Sequence, residues 1–153
     1  MTDLELMQVA LAEARLAFEE GEVPVGAVIA RDGEIVARAH NRREGEKNAL
    51  CHAEILAINA ACRKLGGWRL VGCTLYVTLE PCPMCAGAIL NAQVKQVKVG
   101  AADEKMGAFG GCVDLRSRGL FRSEVTFGLL EEESKSLMRD FFSSLRRKRE
   151  KQE

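Results

Sequence analysis

The chain has 153 residues and a formal net charge of zero, because 22 basic side chains balance 22 acidic ones. This length fits one domain over residues 1–153. Because the net charge is zero, the overall charge does not indicate a nucleic-acid partner, and any such partner must be argued from local charge. The N-terminus lacks the basic and apolar regions of a signal peptide and no apolar run is long enough to span a bilayer, so we expect a cytoplasmic protein without membrane contact whose six cysteines are reduced.

Apolar periodicity, caps and turn residues predict strands that alternate with helices. Thr2 and Glu5 have the spacing of a helix capping box, and Asp32-Gly33 is typical of a hairpin turn. Alternating strands and helices predict an α/β fold, a three-layer α/β/α sandwich. In chain order we predict a helix between Thr2 and Gly21, strands 25–30 and 35–39, helix 52–65, strand 74–79, helix 83–91, strands 94–99 and 124–127, and helix 131–149.

Residues 101–123 form a long connection that contains several glycines. Loops of this length are uncommon in compact domains unless they serve a function, so we expect a functional segment with a short helix inside it. If the partner is RNA, Arg116, Arg118 and Arg122 in this segment could extend the contact surface.

Two short clusters supply one imidazole (His52), one carboxylate (Glu54) and two thiols (Cys82 and Cys85). One histidine and two cysteines form a three-ligand zinc site, and catalytic zinc sites leave a position for water that structural sites fill with a fourth ligand. Pro83 suits the first position of a helix and leaves Cys82 at its cap, where the helix dipole favours a thiolate. We therefore predict a hydrolytic zinc centre with its own general base.

Glu54 is the candidate for that base. Two thiolates offset the charge of the zinc ion, so water there should be less acidic than beside three neutral histidines, and a nearby base matters more. Glu54 could take a proton from the zinc-bound water and pass it to a ring nitrogen of the substrate, while the hydroxide attacks an amino-bearing ring carbon. It could later protonate the departing ammonia. The alternative is a non-catalytic zinc site that has kept its ligands.

The pattern H-x-E followed by P-C-x-x-C resembles that of the cytidine-deaminase-like superfamily, and within it the chain looks like the bacterial tRNA-specific adenosine deaminases. The zinc motifs specify only the superfamily, whereas the segment around Asp103 and the basic final helix narrow the resemblance to the tRNA branch. Similar segments run along nearly the whole chain: 22–28, 41–42, 74–80, 85–89, 100–105, 107–108 and 141–142.

The resemblance implies a five-stranded mixed sheet, a homodimer, and conversion of adenosine to inosine at the wobble position in the anticodon stem-loop of tRNA. It implies that two helix N-termini face one zinc ion per subunit. The implied roles are zinc binding by His52, Cys82 and Cys85, proton transfer by Glu54, a hydrogen bond between Asn41 and the flipped base, and an RNA groove lined by Asp103 and Lys105.

The end of the final helix carries a basic cluster that includes Arg146 and Arg147. Cations complement a helix C-terminus even without a ligand, so the interpretation of these arginines as RNA contacts comes mainly from the resemblance. Phosphate contacts of this kind would be sensitive to salt.

The remaining cysteines and two other functions stay open. Cys51 directly precedes His52, where it could compete as a ligand, oxidise, or simply pack. We interpret Cys62, Cys73 and Cys112 as small core residues. The alternative functions are a deaminase of free guanine, cytosine or a nucleotide, which the Asp103 segment and basic helix disfavour, and a non-catalytic zinc-dependent RNA-binding subunit, which the retained Glu54 disfavours.

Overall fold

The computed structural model describes residues 1–117 and 121–152 of the chain. The described residues form four α-helices and five strands, and a short 3₁₀ helix lies in the long connection. In chain order they are α1 (Asp3–Glu19), β1 (Gly26–Arg31), β2 (Glu34–His40), α2 (Ala53–Leu65), β3 (Cys73–Leu79), α3 (Pro83–Asn91), β4 (Gln96–Ala101), the 3₁₀ helix (Leu115–Ser117), β5 (Glu124–Phe127) and α4 (Glu131–Gln152).

The strands form one mixed sheet in the order β2-β1-β3-β4-β5. β1 is antiparallel to both of its neighbours, whereas β3, β4 and β5 are parallel to one another. The register pairs Ala27 with Val77 and Leu79 with Ala101. The start of β1 and the ends of β2, β3 and β4 therefore meet at one edge of the sheet, where α2 and α3 also begin.

The two faces of the sheet are buried by different helices. Val28 in β1 packs in a cluster with Leu6 and Met7 of α1, while its neighbour Ile29 packs with Ala57 of α2 and residues of α3. This alternation is that of a strand covered on both faces. The predicted α/β/α sandwich with a five-stranded mixed sheet is confirmed.

Local signals in the first third of the chain act as expected. The Glu5 amide donates to Thr2 Oγ1 and the Thr2 amide donates to Glu5 Oε1, each over 3.1 Å, which completes the capping box of α1. Asp32 and Gly33 have φ values of 53° and 74°, the left-handed pair that a two-residue hairpin turn requires.

Three expectations need correction. β4 begins at Gln96 and not at Val94, because Gln93 has a φ of 58° and the Val94 amide donates to Ile89 O over 3.2 Å, which closes the turn after α3. Helix α4 extends to Gln152, beyond the predicted end at residue 149. Cys112 is exposed in the long connection and not part of the core.

None of the described helices combines the length and the apolar character that a membrane span needs.

Candidate active site

The structure brings together the imidazole and the two thiols that the sequence singles out. His52 is the N-cap residue of α2, and Cys82 is the N-cap residue of α3 with Pro83 following it. His52 Nδ1 lies 3.7 Å from Cys82 Sγ and 3.5 Å from Cys85 Sγ. All three potential ligand atoms lie within 4.8 Å of one another, so a single metal ion that prefers nitrogen and sulfur fits between them.

The beginnings of two helices explain how residues so far apart in sequence converge. An N-cap residue has extended backbone, so its side chain projects from the end of the helix and not from its side. His52 and Cys82 both have this backbone conformation. Because α2 and α3 start at the same edge of the sheet, these side chains meet there.

The thiols and the imidazole form a coupled set. The pKa of Cys82 is lowered to about 4, first because the Cys85 thiol donates a hydrogen bond to it and then because His52 does. The hydrogen bond between Cys85 and Cys82 raises the pKa of Cys85, and burial raises it further. The hydrogen bond to Cys82 also raises the pKa of His52, against the opposing effects of burial and of the nearby Arg43 cation.

Glu54 lies in the first turn of α2 with 4% of its surface exposed. Burial raises the pKa of Glu54 to about 7. The carboxyl lines the same cavity as His52 and Cys82. It is therefore beside the metal-ligand group without belonging to it.

The cavity measures about 200 Å³ and opens at the edge of the sheet. Its apolar side chains come from the segment before β1, the first residue of α2, the end of β3 and the loop after β4. Its polar groups converge from the starts of α2 and α3 and from the two loops on either side. The lining residues are Val23, Val25, Asn41, Arg43, His52, Ala53, Glu54, Leu79, Glu80, Cys82, Asp103 and Met106.

Asn41 presents a buried, unpaired acceptor to this cavity. The residue is 6% exposed, and its Oδ1 has no hydrogen-bond partner in the described part of the chain. Its backbone amide donates to Val25 O over 3.1 Å, which fixes it beside the start of β1. An unpaired buried acceptor is costly, so Oδ1 is suited to receive an N–H group from a ligand.

A larger groove, about 990 Å³, adjoins the cavity and shares Val23, Leu79, Asp103 and Met106 with it. Asp103 Oδ1 accepts the Lys105 amide over 3.0 Å and the Met106 amide over 3.2 Å, which shapes the turn between the two spaces. The groove is rich in cations and contains an exposed aromatic ring. Its basic and aromatic lining residues are Lys105, Lys135, Arg139, Phe142, Arg146 and Arg149.

The predicted RNA-contacting residues thus divide into those that reach these spaces and those that do not. Arg146 lines the groove, whereas Arg147 is exposed on α4 and lines neither space. The Arg116 guanidinium is held by Asp114, with Nη2 2.7 Å from Oδ2. Arg118 lies outside the described residues.

Two buried carboxylates that brace the neighbouring loops were missed by the sequence analysis. Glu80 is 3% exposed and accepts the backbone amides of Asp103, Phe109 and Gly111 over 2.9–3.0 Å. Glu22 braces the loop between β2 and α2 in the same way. In the sequence, the only available signal was a glutamate at the end of a buried strand, directly before the P-C-x-x-C motif.

Cys51 does not join the metal-ligand group, which contains only His52, Cys82 and Cys85 within the residues that the structure describes. Its carbonyl accepts the Arg42 amide over 3.0 Å, and its amide donates to Asn48 O over 3.2 Å. Cys51 therefore closes the loop between β2 and α2.

His40 lies at the end of β2, away from the cavity. Its Nδ1 is 2.9 Å from Glu13 Oε2 and its Nε2 is 2.8 Å from Glu20 Oε1, so it joins the strand to α1. Burial alone would lower the pKa of His40, but the hydrogen bonds to the two carboxylates outweigh it and raise the pKa.

Known proteins resemble this chain in sequence and in fold. Residues 1–146 match the MafB19-like deaminase family. The chain is 51% identical to a tRNA-specific adenosine deaminase of Bacillus subtilis, over 97% of this chain and 94% of that protein. It is similar to a solved structure from a study of A-to-I editing by tRNA deaminases at the wobble position, with 43% identity, a TM-score of 0.82, and coverage of 87% of this chain and 98% of that one. It is also similar to a guanine deaminase from Nitrosomonas europaea, with 26% identity, a TM-score of 0.79, and coverage of 92% and 84%.

Proposed function

The chain belongs to the MafB19-like deaminase family and to the tRNA-specific adenosine deaminases, and from this premise we propose that it hydrolyses adenosine to inosine at the wobble position of tRNA with one zinc ion per subunit. The proposal is supported by one observation: a buried glutamate and two of the three convergent potential metal ligands line a small cavity that adjoins a cation-lined groove.

The donor set suits zinc. One imidazole nitrogen and two thiol sulfurs are typical zinc ligands, and three of them fit a catalytic site. We assign His52, Cys82 and Cys85 to this role. Zinc held there would supply Lewis acidity, which makes water easier to deprotonate.

Glu54 acts as the proton carrier. Its carboxylate takes a proton from the attacking water and delivers it to a ring nitrogen of adenine, while the water oxygen bonds to the carbon that bears the amino group. A further proton from the attacking oxygen passes to the amino group through the same carboxyl, and the carbon–nitrogen bond breaks to release ammonia. Position supports this role, because Glu54 lines the cavity and is shielded from bulk solvent.

Asn41 orients the base. Its unpaired Oδ1 accepts an N–H of the flipped adenosine, which satisfies an acceptor that has no partner within the described residues. Asp103 and Lys105 shape the path from the cavity to the groove, and Arg146 and Arg147 contribute positive charge to the RNA-binding surface. Of these two arginines, Arg146 is the one that lines the groove.

The anticodon stem-loop is the proposed partner. A single-stranded loop presents an unstacked base at lower cost than a duplex, and the groove supplies cations for its backbone. Residues 1–153 would act as one deaminase domain within a homodimer. Because the substrate is tRNA, the proposed site of action is the cytoplasm.

A deaminase of free guanine is the second candidate, since the structure of a guanine deaminase shares the fold with a TM-score of 0.79. The basic groove favours RNA, because a free base offers no phosphate for these cations.

The test is deamination by zinc-loaded protein of an arginine tRNA that carries a wobble adenosine. Free guanine, cytosine, adenosine and their nucleotides run in parallel with detection of ammonia. Inosine confined to the wobble position supports the proposal. Ammonia from a free base, with the tRNA left unmodified, would retain the deaminase chemistry and reject the substrate.

A further inference from the structure

Arg43 lies in the cavity wall but has no role in the proposed deamination steps. It lies in the loop between β2 and α2, two residues after Asn41, and both of these residues line the cavity. Arg42 between them does not line it, and its Nη2 lies 3.1 Å from Glu46 Oε1. Arg43 is the only lysine or arginine among the described residues that line the cavity.

The loop that carries Arg43 is fixed by a buried carboxylate. Glu22 is 2% exposed and accepts the Glu44 amide over 2.9 Å and the Gly45 amide over 2.7 Å. The Asn48 amide donates to Arg43 O over 3.1 Å, which closes the loop on itself. The backbone of Arg43 is therefore positioned before a ligand arrives, and less entropy is lost on binding.

None of the described acidic side chains forms an ion pair with the Arg43 guanidinium. Apart from the potential metal ligands His52 and Cys82, the other titratable side chains that line the cavity are the carboxylates of Glu54, Glu80 and Asp103. Within residues 1–117 and 121–152, Arg43 forms no ion pair. An arginine in this state suits a phosphate, which it can bind through two N–H groups at once.

The chemistry of the substrate supplies that phosphate. Adenine is neutral and gives a cation at the cavity wall nothing to pair with. A nucleotide within RNA carries a phosphodiester on each side of its ribose, so a base that enters the cavity brings phosphates to its mouth.

We propose that Arg43 binds a backbone phosphate next to the flipped adenosine and thereby makes entry of the base depend on the RNA chain that carries it. This inference rests on the proposed function, since it takes RNA as the substrate. It assigns to Arg43 a direct contact with the substrate and to Glu22 a positioning role through the loop.

The first experiment compares Arg43→Gln with Arg42→Gln, a matched change one residue away that removes the same charge outside the cavity. Binding of an anticodon stem-loop with a wobble adenosine is measured at several salt concentrations. A lost phosphate contact should weaken binding about tenfold at low salt and reduce the slope of log affinity against log salt by about 0.7–1. Arg42→Gln should keep the wild-type slope, and Arg43→Lys should keep most of it.

The second experiment identifies the phosphate. A methylphosphonate, which is neutral, replaces the linkage on the 5′ or on the 3′ side of the target adenosine. With the correct linkage neutralised, wild type and Arg43→Gln should bind within about twofold of each other, because the contact is already absent. Thermal melting and zinc content establish that both variants fold as the wild type does.

Two results would overturn the inference: an Arg43→Gln variant with the salt slope of wild type, or a full loss of affinity that persists with both linkages neutralised. Binding and deamination are scored separately. A wild-type protein that binds the stem-loop without forming inosine would reject the proposed function, while the salt slopes would still decide whether Arg43 contacts a phosphate.

Discussion

Replacing Glu80 by glutamine tests whether this buried carboxylate holds the loop that forms one wall of the cavity. Glu80 Oε2 accepts two amides, from Phe109 and Gly111, and Oε1 accepts the Asp103 amide. The best orientation of glutamine keeps its oxygen on the side of the two donors. Its amino group then faces the Asp103 amide, so one hydrogen bond is lost and a donor opposes a donor.

The size of the effect follows from that count. Losing one hydrogen bond to a charged acceptor and leaving a buried donor unpaired costs about 2–4 kcal/mol in the free energy of unfolding. For a chain of this length, this should lower the melting temperature by roughly 4–16 °C. The kcat/KM on tRNA should fall as well, because Asp103 and Met106 of this loop line the cavity.

Urea unfolding of Glu80→Gln, beside wild type and Glu104→Gln, makes the measurement. Glu104 lies exposed in the same loop, so its replacement removes an equal charge without removing a buried acceptor. If Glu80→Gln is as stable as Glu104→Gln, the three amides do not depend on the carboxylate and the reasoning is wrong.

Three further predictions concern catalysis, acid–base linkage and packing. Glu54→Gln should retain zinc, measured by elemental analysis, and lose about 10²–10⁴-fold in the rate of inosine formation; a variant that stays active would reject the role of Glu54 as base. The pKa of His40 is raised in the folded protein, so its ion pairs stabilise the fold fully below its ordinary pKa near 6.5. This stabilisation is lost as the pH rises through the raised pKa of the folded state. Wild type should therefore exceed His40→Gln in urea stability by more at pH 6 than at pH 8.5, and an equal difference at both pH values would contradict this linkage. A Cβ at Gly107 would clash with the Glu80 carboxyl group, whereas one at Gly67 would meet no atom within 4 Å. Gly107→Ala should cost about 1–3 kcal/mol by overpacking, Gly67→Ala should be near neutral, and equal melting temperatures for the two would argue against the close packing at Gly107.

Much of the fold could be predicted because its signals are local. The bounds of α3 and β5 agree with the prediction, since Pro83 marks the first position of α3, and Val125, Thr126 and Phe127 of β5 favour a strand. The start of β4 could not be predicted, because Val94 is apolar and β-branched like a strand residue. The left-handed φ of Gln93 and the hydrogen bond from the Val94 amide to Ile89 O show that Val94 belongs to the turn.

The metal-ligand group was predictable by residue type but not by position. The motifs identify His52, Cys82 and Cys85, while their convergence depends on two helices that start at one edge of the sheet. Glu22 and Glu80 were missed because a glutamate near a loop usually lies in solvent, and only tertiary contacts bury these two.

The basic end of α4 shows a limit of composition. Arg146 and Arg149 line the groove with Phe142, at spacings of three and four residues that place them on one side of the helix. Arg147 is adjacent in sequence but points to another side. The position of each arginine around the helix axis therefore decides whether it lines the groove, and a count of charges cannot show this.

The two loops held by Glu22 and Glu80 bear on whether the protein or the RNA changes shape on binding. Glu22 and Glu80 hold the loops on either side of the cavity through backbone amides, as a sheet holds its strands. These loop amides should resist hydrogen exchange far longer than surface loops do. We therefore expect the cavity walls to keep their shape when the substrate binds. The RNA must then change shape instead. An anticodon whose bases unstack readily should therefore be the better substrate, independently of contacts that recognise the base itself.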